Sequence, residues 1–324
     1  MNLNIDTIIL IVLIMDDIII PDKNPIDYLI TPITPYFLCD HFVSTEVHKS
    51  SNKFIEVDLL LKANDLFENK NYNDIKNFDI IQVQVDYFDF FYYEILPIIN
   101  KRNIKVILIT SQWHFSQINQ NDKTDDVLND DNILLWISQN PIYVNNPKYM
   151  AFPYGICHTK VNKYVDFIKS NNVNNAKKNK IVNQYVNYTN HLLPSNHIRK
   201  RYDILGKNTG KERLSYTDFL TNILNAEFVI STSGDRDDCH RHYECIGLNS
   251  IPVSNINGGY KDIFKENMLY SNAEEMIDMV NSSVVNYEYK IPDRNILTIA
   301  YWELKIKQKI NSLISCSYNL SRLN

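Results

Sequence analysis

Glycine is scarce: the 324-residue chain holds only seven. So thin a supply excludes the GxGxxG fingerprint and the Walker loop, which place glycines at fixed offsets around a phosphate. Cysteine is odd in number, with Cys39, Cys157, Cys239, Cys245 and Cys316 widely spaced and no CxxC. A disulfide scaffold is excluded, and reduced thiols of a cytosolic protein are expected. A membrane span needs about 20 apolar residues, whereas the apolar run Ile8–Met15 is closed by Asp16 and Asp17. Asp6 stands before it, where a secretory signal carries positive charge, so a buried first strand is expected and the Asn187-Tyr188-Thr189 sequon is discounted. There is no basic excess either: the formal net charge is −5, which argues against a nucleic-acid partner. The expected residence is cytoplasmic, or host cytoplasm if the source is a virus.

Asparagine and isoleucine are abundant, asparagine at about one residue in eight. This is the bias of an AT-rich genome (a protist, an AT-rich bacterium or a large DNA virus) and concerns codons, not mechanism. The length suits two domains of ordinary size. β-branched apolar runs alternate with helical patterns throughout, which predicts an α/β protein with parallel sheets. Strands are expected at Thr7–Met15, Phe78–Val85, Lys105–Thr110 and Asn132–Ile137, and helices at Asp58–Asn69, Asp86–Asn100 and Asn162–Ser170. The polar, aperiodic stretch 171–179 reads as a linker. Beyond it come strands at Lys180–Tyr188, Glu227–Ser231 and Ile251–Ser254. Helices are expected at Ser195–Leu205, Tyr216–Asn225, Asp238–Gly247 and Ala273–Val280, with a long one from Ile296 to Ile314. The expected domains are 1–170 and 180–324, the final helix being free to pack back on the first.

Six of the seven glycines fall between Gly206 and Gly259, and glycine is used where backbone turns sharply or approaches a ligand. Within that region, Tyr216–Ile256 reads as helix, strand, polar loop, helix, turn, strand. Ligands of open α/β sheets sit at the carboxyl ends of strands, and the loop beginning Ser231, Ser233, Gly234 lies at such an end. It opens a helix, with Asp237 or Asp238 as the expected N-cap. A helix N-terminus suits a phosphate. His240 and Arg241 fall in its first turn, and guanidinium pairs bidentately with phosphate oxygens. Glu244, three residues on, shares a face with Arg241 and is suited to accept hydrogen bonds from ribose hydroxyls. The plain alternative is an i,i+3 salt bridge on a solvated helix face.

This segment resembles the donor-binding region of exostosin-like glycosyltransferases. The carrying residues are the strand Phe228–Ser231, Gly234, Arg241, Glu244 and the Gly247–Val253 stretch GLNSIPV, where Asn249 stands in place of the family's usual glycine. An asparagine tolerates left-handed backbone. The likeness extends upstream through Asn140–Ile156, with its Pro153-Tyr154-Gly155, and through the segment bearing Arg199 and Arg201. Downstream, Tyr301-Trp302 resembles a C-terminal aromatic of the family. The resemblance implies two Rossmann-like domains facing a cleft (a GT-B-like fold), with acceptor in the first half and nucleotide sugar in the second. It further implies a UDP-sugar or similar co-substrate, a glycan acceptor, inversion at the anomeric carbon and no bound metal. Arg199 or Arg201 would be a second diphosphate contact, and Asn187 and Thr189 would line the cleft.

Other constellations bear on the same reading. Asp235, Asp237 and Asp238 have the residue types of a DxD metal site, but a helix-opening role is expected. Cys239, His240, His242 and Cys245 are zinc-ligand types at no standard knuckle spacing. The aromatic run Tyr87–Tyr93 is expected to pack on the sheet in preference to stacking on sugars. A transfer to a hydroxyl needs a base, and the candidates are Asp40, His41, Asp86 and His114. No candidate stands out, so a catalytically inactive carbohydrate-binding or scaffold protein on the same fold stays open beside the transferase.

Overall fold

The computed structural model describes residues 28–44, 64–111, 117–183, 198–200, 213–234, 236–256 and 258–321. Two parallel sheets organise them. The first has the order β2-β1-β3-β4-β5-β6. Its strands are β1 His41–Val43, β2 Asn64–Asp65, β3 Ile80–Gln84, β4 Val106–Ser111, β5 Ile133–Ser138 and β6 Tyr149–Ala151. The second runs β10-β9-β8-β7, from β7 Asn179–Val182, β8 Ala226–Ile230, β9 Ile251–Ser254 and β10 Leu269–Tyr270. Each recorded pairing within either sheet is parallel.

The central strands follow from composition. VILITS and ILLWIS are buried along their whole length, as strands covered on both faces must be. Pairs such as Ile81 with Leu108 and Ile109 with Ile137 set the register. In the first sheet the strand order reverses at β1/β3, and crevices outside the carboxyl ends at such a switch point are where open α/β sheets bind ligands.

Helices cover the sheets with two departures from the sequence expectation. Of the stretch Asp58–Asn69, residues 58–63 lie outside the described residues, residues 64–65 form edge strand β2, and Leu66–Asn69 is helical. Asp65 ends the strand by accepting hydrogen bonds from Phe67 N (2.9 Å) and Glu68 N (3.2 Å), so the capping bond sets the boundary. The stretch Asp86–Asn100 coils throughout but changes pitch, through Val85–Tyr87 (3-10), Phe88–Phe90 (α), Phe91–Ile95 (π) and Leu96–Arg102 (α). Pro97 has no N–H and its ring conflicts with the carbonyl four residues back, and the widened turn falls just before it. Phe88 and Phe91 are buried, and Phe88 stacks on Trp136 at 5.5 Å, so this aromatic run packs on the sheet.

The expected linker is firmly held. Lys177 Nζ donates to the carbonyls of Leu224 (2.8 Å) and Leu248 (2.6 Å), at the C-terminal ends of helices Tyr216–Leu224 and His240–Gly247. Cations are favoured there. Burial lowers this ammonium to about 8. A hydrophobic cluster runs without a break from Ile107, Ile137 and Tyr164 to Val229, Tyr243 and Ile246, so both sheets contribute to one core. The last helix, Ile299–Ser321, lays Trp302 against Phe152 at 5.6 Å. Just before it, Leu297 O accepts from Ile30 N at 2.8 Å. The expected strand Thr7–Met15 lies outside the described residues.

Candidate functional site

The loop from Ser231 to Cys239 leaves the carboxyl end of β8 and feeds the helix His240–Gly247. Its N-cap is Cys239, which makes no side-chain capping bond. The expectation of Asp237 or Asp238 as cap is therefore corrected. Asp238 is drawn elsewhere: its Oδ2 accepts from Tyr154 N at 3.0 Å and from the Tyr243 hydroxyl. Burial raises this carboxyl to about 6, against the opposing pull of His242, Tyr243 and the Tyr154 N–H. Its Oδ1 has no hydrogen-bond partner among the described residues.

The loop carries an arginine on its backbone. Arg199 Nε donates to Ser233 O at 2.9 Å, and a Cβ on Gly234 would come within 2.9 Å of an Arg199 guanidinium nitrogen. Gly234 thus permits the arginine's close approach. Ser231 Oγ is 2.8 Å from His242 Nδ1. Ser233 N donates to Asn255 Oδ1 at 3.0 Å. The hydroxyls of Thr232 and Ser233 are buried without a partner among the described residues, and buried polar groups without partners are costly and uncommon.

Arg241 and Glu244 both meet the helix Tyr216–Leu224. The Arg241 guanidinium lies 5.3 Å from the centre of the Phe219 ring. Glu244 Oε1 accepts from Tyr216 OH at 2.7 Å, and Tyr164 OH donates to Glu244 O at 3.1 Å. Glu244 is 5% exposed, so it does not stand on a solvated face. Burial, and then the Glu244 carboxylate, push the Tyr216 phenol far up: it stays a hydrogen-bond donor. The helix can sit this close because Gly247 has no side chain, since a Cβ there would fall on the Tyr164 hydroxyl.

The third wall is the segment after β6. His240 Nδ1 lies 2.8 Å from Gly155 O, and the imidazole stacks on Tyr154 at 4.9 Å. Arg236 hydrogen-bonds the Tyr154 hydroxyl and lies over its ring. Gly155 has φ +81°, and a Cβ there would strike the Ile30 carbonyl. Arg236, Tyr154 and Tyr216 were not singled out by sequence. Arg236 lies within the loop that leaves β8, and Tyr154 within Pro153-Tyr154-Gly155, but only the fold shows that they meet.

The base candidates separate. Asp40 and His41 stand at the amino end of β1, where Asp40 Oδ2 accepts from Ile80 N at 2.9 Å and His41 Nε2 meets Asp79 Oδ2 at 2.8 Å. These contacts tie strand beginnings together, at the end opposite to the ligand-binding rim. Asp86 stands at the carboxyl end of β3, exposed, and accepts from Gln84 Nε2 at 2.9 Å. Gln84 Oε1 in turn accepts from Ser44 Oγ at 2.5 Å. That chain spans the ends of β1 and β3, the switch point of the first sheet. His114, Asn187, Thr189 and Arg201 lie outside the described residues. Among the described residues, no group of three or more His, Cys, Asp or Glu side chains is arranged to hold a metal, and no helix is long and apolar enough to cross a membrane.

No family model matches the chain, and no curated protein matches it. Fourteen chains of solved structures do. One, described as the crystal structure of a GtfA/B complex, superposes with a TM-score of 0.36 at 12% identity, over 74% of this chain and 59% of that one. This chain thus spans less than two thirds of that neighbour's length, and a TM-score of this size defines no shared fold.

Proposed function

We propose that the chain is a glycosyltransferase that moves a sugar from a nucleoside diphosphate sugar, a UDP-sugar by resemblance, to a carbohydrate hydroxyl. One observation carries this reading. A helix without a side-chain cap starts at the carboxyl end of a parallel strand, with Arg199 and Arg236 at its entry loop, Arg241 in its first turn and a buried carboxylate, Glu244, one turn in. Helix N-terminus and guanidinium groups together suit a diphosphate. Glu244 suits the ribose, exchanging the Tyr216 hydroxyl for a sugar hydroxyl.

In this reading the fold works as a GT-B pair, donor on the second sheet and acceptor over the first. The diphosphate departs as the acceptor oxygen attacks the anomeric carbon from the opposite face, and the configuration inverts. Arg199 and Arg241 stabilise the charge that develops on the leaving group, as preorganised cations do in a site shielded from water. No resident metal is assigned a part. Asp86 takes the acceptor proton, being, among the described base candidates, the one at a carboxyl end beside the switch point.

The test is a thermal-shift screen against UDP, GDP, CDP and their sugars. A ligand at 100 times its Kd adds about 2.7 kcal/mol to folding stability, a readily measured rise in Tm. The rise should vanish in Arg241→Ala while the fold persists. An unchanged affinity in that variant sinks the assignment of the clamp, and no response to any nucleotide sinks the donor site. A second reading, an inactive binder on the same fold, is favoured by the placement of Asp40 and His41 at the wrong end of the sheet. Turnover of donor to free diphosphate nucleotide, lost in Asp86→Asn, excludes it.

A further inference from the structure

We propose that Phe219 is a positioning residue of the nucleotide site: its ring holds the Arg241 guanidinium in place for a diphosphate, while Tyr216, one turn earlier on the same helix, holds Glu244 for the ribose. The inference rests on the nucleotide reading of this site and adds the element that sets its two contacts.

Spacing comes first. Tyr216 and Phe219 stand three residues apart on the helix Tyr216–Leu224, and Arg241 and Glu244 stand three apart on the helix His240–Gly247. Residues at that spacing are neighbours on one helix face. The two pairs meet one to one. The Tyr216 hydroxyl donates to Glu244 Oε1 at 2.7 Å, and the Arg241 guanidinium lies 5.3 Å from the centre of the Phe219 ring, within reach of a cation–π contact. The two rings are themselves stacked, 6.0 Å apart and 14° from parallel. Lys160 Nζ lies 4.8 Å from the centre of the Tyr216 ring. A phenol tied to a buried carboxylate thus orients the ring beside it, and that ring orients the arginine.

Electrostatics drives Arg241 away from this position in the absence of a hold. It is the second residue of its helix, at the end where the helix dipole disfavours a cation. Arg199 on the Ser233 carbonyl and Arg236 over Tyr154 add positive charge at the same loop. Arginine also loses much rotamer freedom on being ordered. The face of half-buried Phe219 opposes both effects. A ring face attracts the guanidinium without taking its N–H donors. The contact therefore persists when those donors turn to phosphate oxygens, whereas a carboxylate in the same place would compete for them. An arginine ordered beforehand also spares the ligand the cost of ordering it. Leucine at this position would fill much of the same space but has no π face.

The experiment titrates the full chain with UDP, GDP and CDP by calorimetry, and with the matching nucleosides by ligand-observed NMR. In Phe219→Leu the diphosphate that binds wild type should bind about fivefold more weakly, and its nucleoside should bind as before. Phe219→Tyr, which keeps the ring, should restore the affinity. Equal diphosphate affinity in wild type and Phe219→Leu overturns the inference and leaves the nucleotide reading standing. An equal loss for diphosphate and nucleoside also overturns it, because Phe219 would then be packing alone. No binding of any diphosphate to wild type sinks the nucleotide reading and this inference with it. A measurement on the free wild-type protein does not depend on the variant folding: the Arg241 Nε–H resonance, assigned by its loss in Arg241→Lys, should be displaced upfield by the ring. A resonance at the position of solvated arginines overturns the inference.

Discussion

Replacing Asp238 by asparagine should tilt the pH dependence of folding in a defined direction. Asp238 and His242 are both fully buried on the site helix and its entry loop, and burial drives them oppositely: the carboxyl rises from 3.8 to about 6, the imidazole falls from 6.5 to about 4. For Asp238 the folded chain holds the proton more tightly than the unfolded one. Its contribution is therefore most favourable below pH 3.8 and is lost as pH rises through about 6. For His242 the unfolded chain holds the proton more tightly, so stability falls as pH drops from 6.5 through about 4. Each shift exceeds two units, or about 3 kcal/mol at 1.36 kcal/mol per unit. The two slopes oppose each other in one window, so between about pH 4 and pH 6.5 they nearly cancel. Asp238→Asn keeps an acceptor for Tyr154 N and the Tyr243 hydroxyl but removes one slope. Urea unfolding at a series of pH values gives the difference in stability between wild type and variant, in which the other titrating groups drop out. That difference should favour the wild type most near pH 4 and shrink by about 3 kcal/mol on approaching pH 7. Losing the carboxylate also lowers His242 further, which changes the difference in the same sense. A difference that is flat, or that grows with pH, refutes the burial of a carboxyl at this position.

Two further substitutions test the packing that holds the site helix in place. Gly247→Ala would gain about 1 kcal/mol of helix propensity, but the new methyl group would land on the Tyr164 hydroxyl and within 2.8 Å of Leu297. A net loss of about 1–3 kcal/mol is expected, whereas Gly258→Ala, with nothing within 4 Å, should leave the denaturation midpoint unchanged. Trp302→Ala removes the aromatic that packs on Phe152 and donates to Ile296 O at 2.8 Å; calorimetry should show a loss of about 3–5 kcal/mol, and a neutral outcome would mean that the last helix is not docked on the first sheet.

Elements buried on both faces were legible from sequence, because a parallel strand covered on both faces needs a short β-branched apolar run, and such runs here alternate with helical patterns. Ile251–Ser254 matches its expected bounds, and Val106–Ser111 and Ala226–Ile230 are displaced by a residue. The short edges were not legible. Asn64–Asp65 and Leu269–Tyr270 are two residues each, too short for a period to register, and their pairing is imposed by β1 and β9. Asn249 is a case where residue chemistry sufficed: its φ of +55° is the left-handed turn that an asparagine in a glycine's place predicts.

The helix cap shows why local signals failed at the site itself. By propensity, aspartate before a helix is an N-cap, and three aspartates precede this one. The preference assumes that the side chain competes only for the helix's own N–H groups. Here Asp238 has a second set of donors, the Tyr154 N–H and the Tyr243 hydroxyl, and the first of these arrives from 84 residues away. A buried carboxyl that takes both satisfies two donors enclosed in the core, which is worth more than one solvated cap, because an unpaired buried donor costs its full desolvation. The consequence is functional. Had Asp238 capped the helix, a carboxylate would occupy the N-terminal N–H groups and oppose an anionic ligand. Turned toward Tyr154, it leaves that end to Cys239, which makes no side-chain capping bond. The same turn fastens the segment carrying Gly155 and Cys157 to the helix carrying His240, Arg241 and Glu244. The contact that removes the competing charge from the candidate phosphate site is thus the one that brings its two walls together.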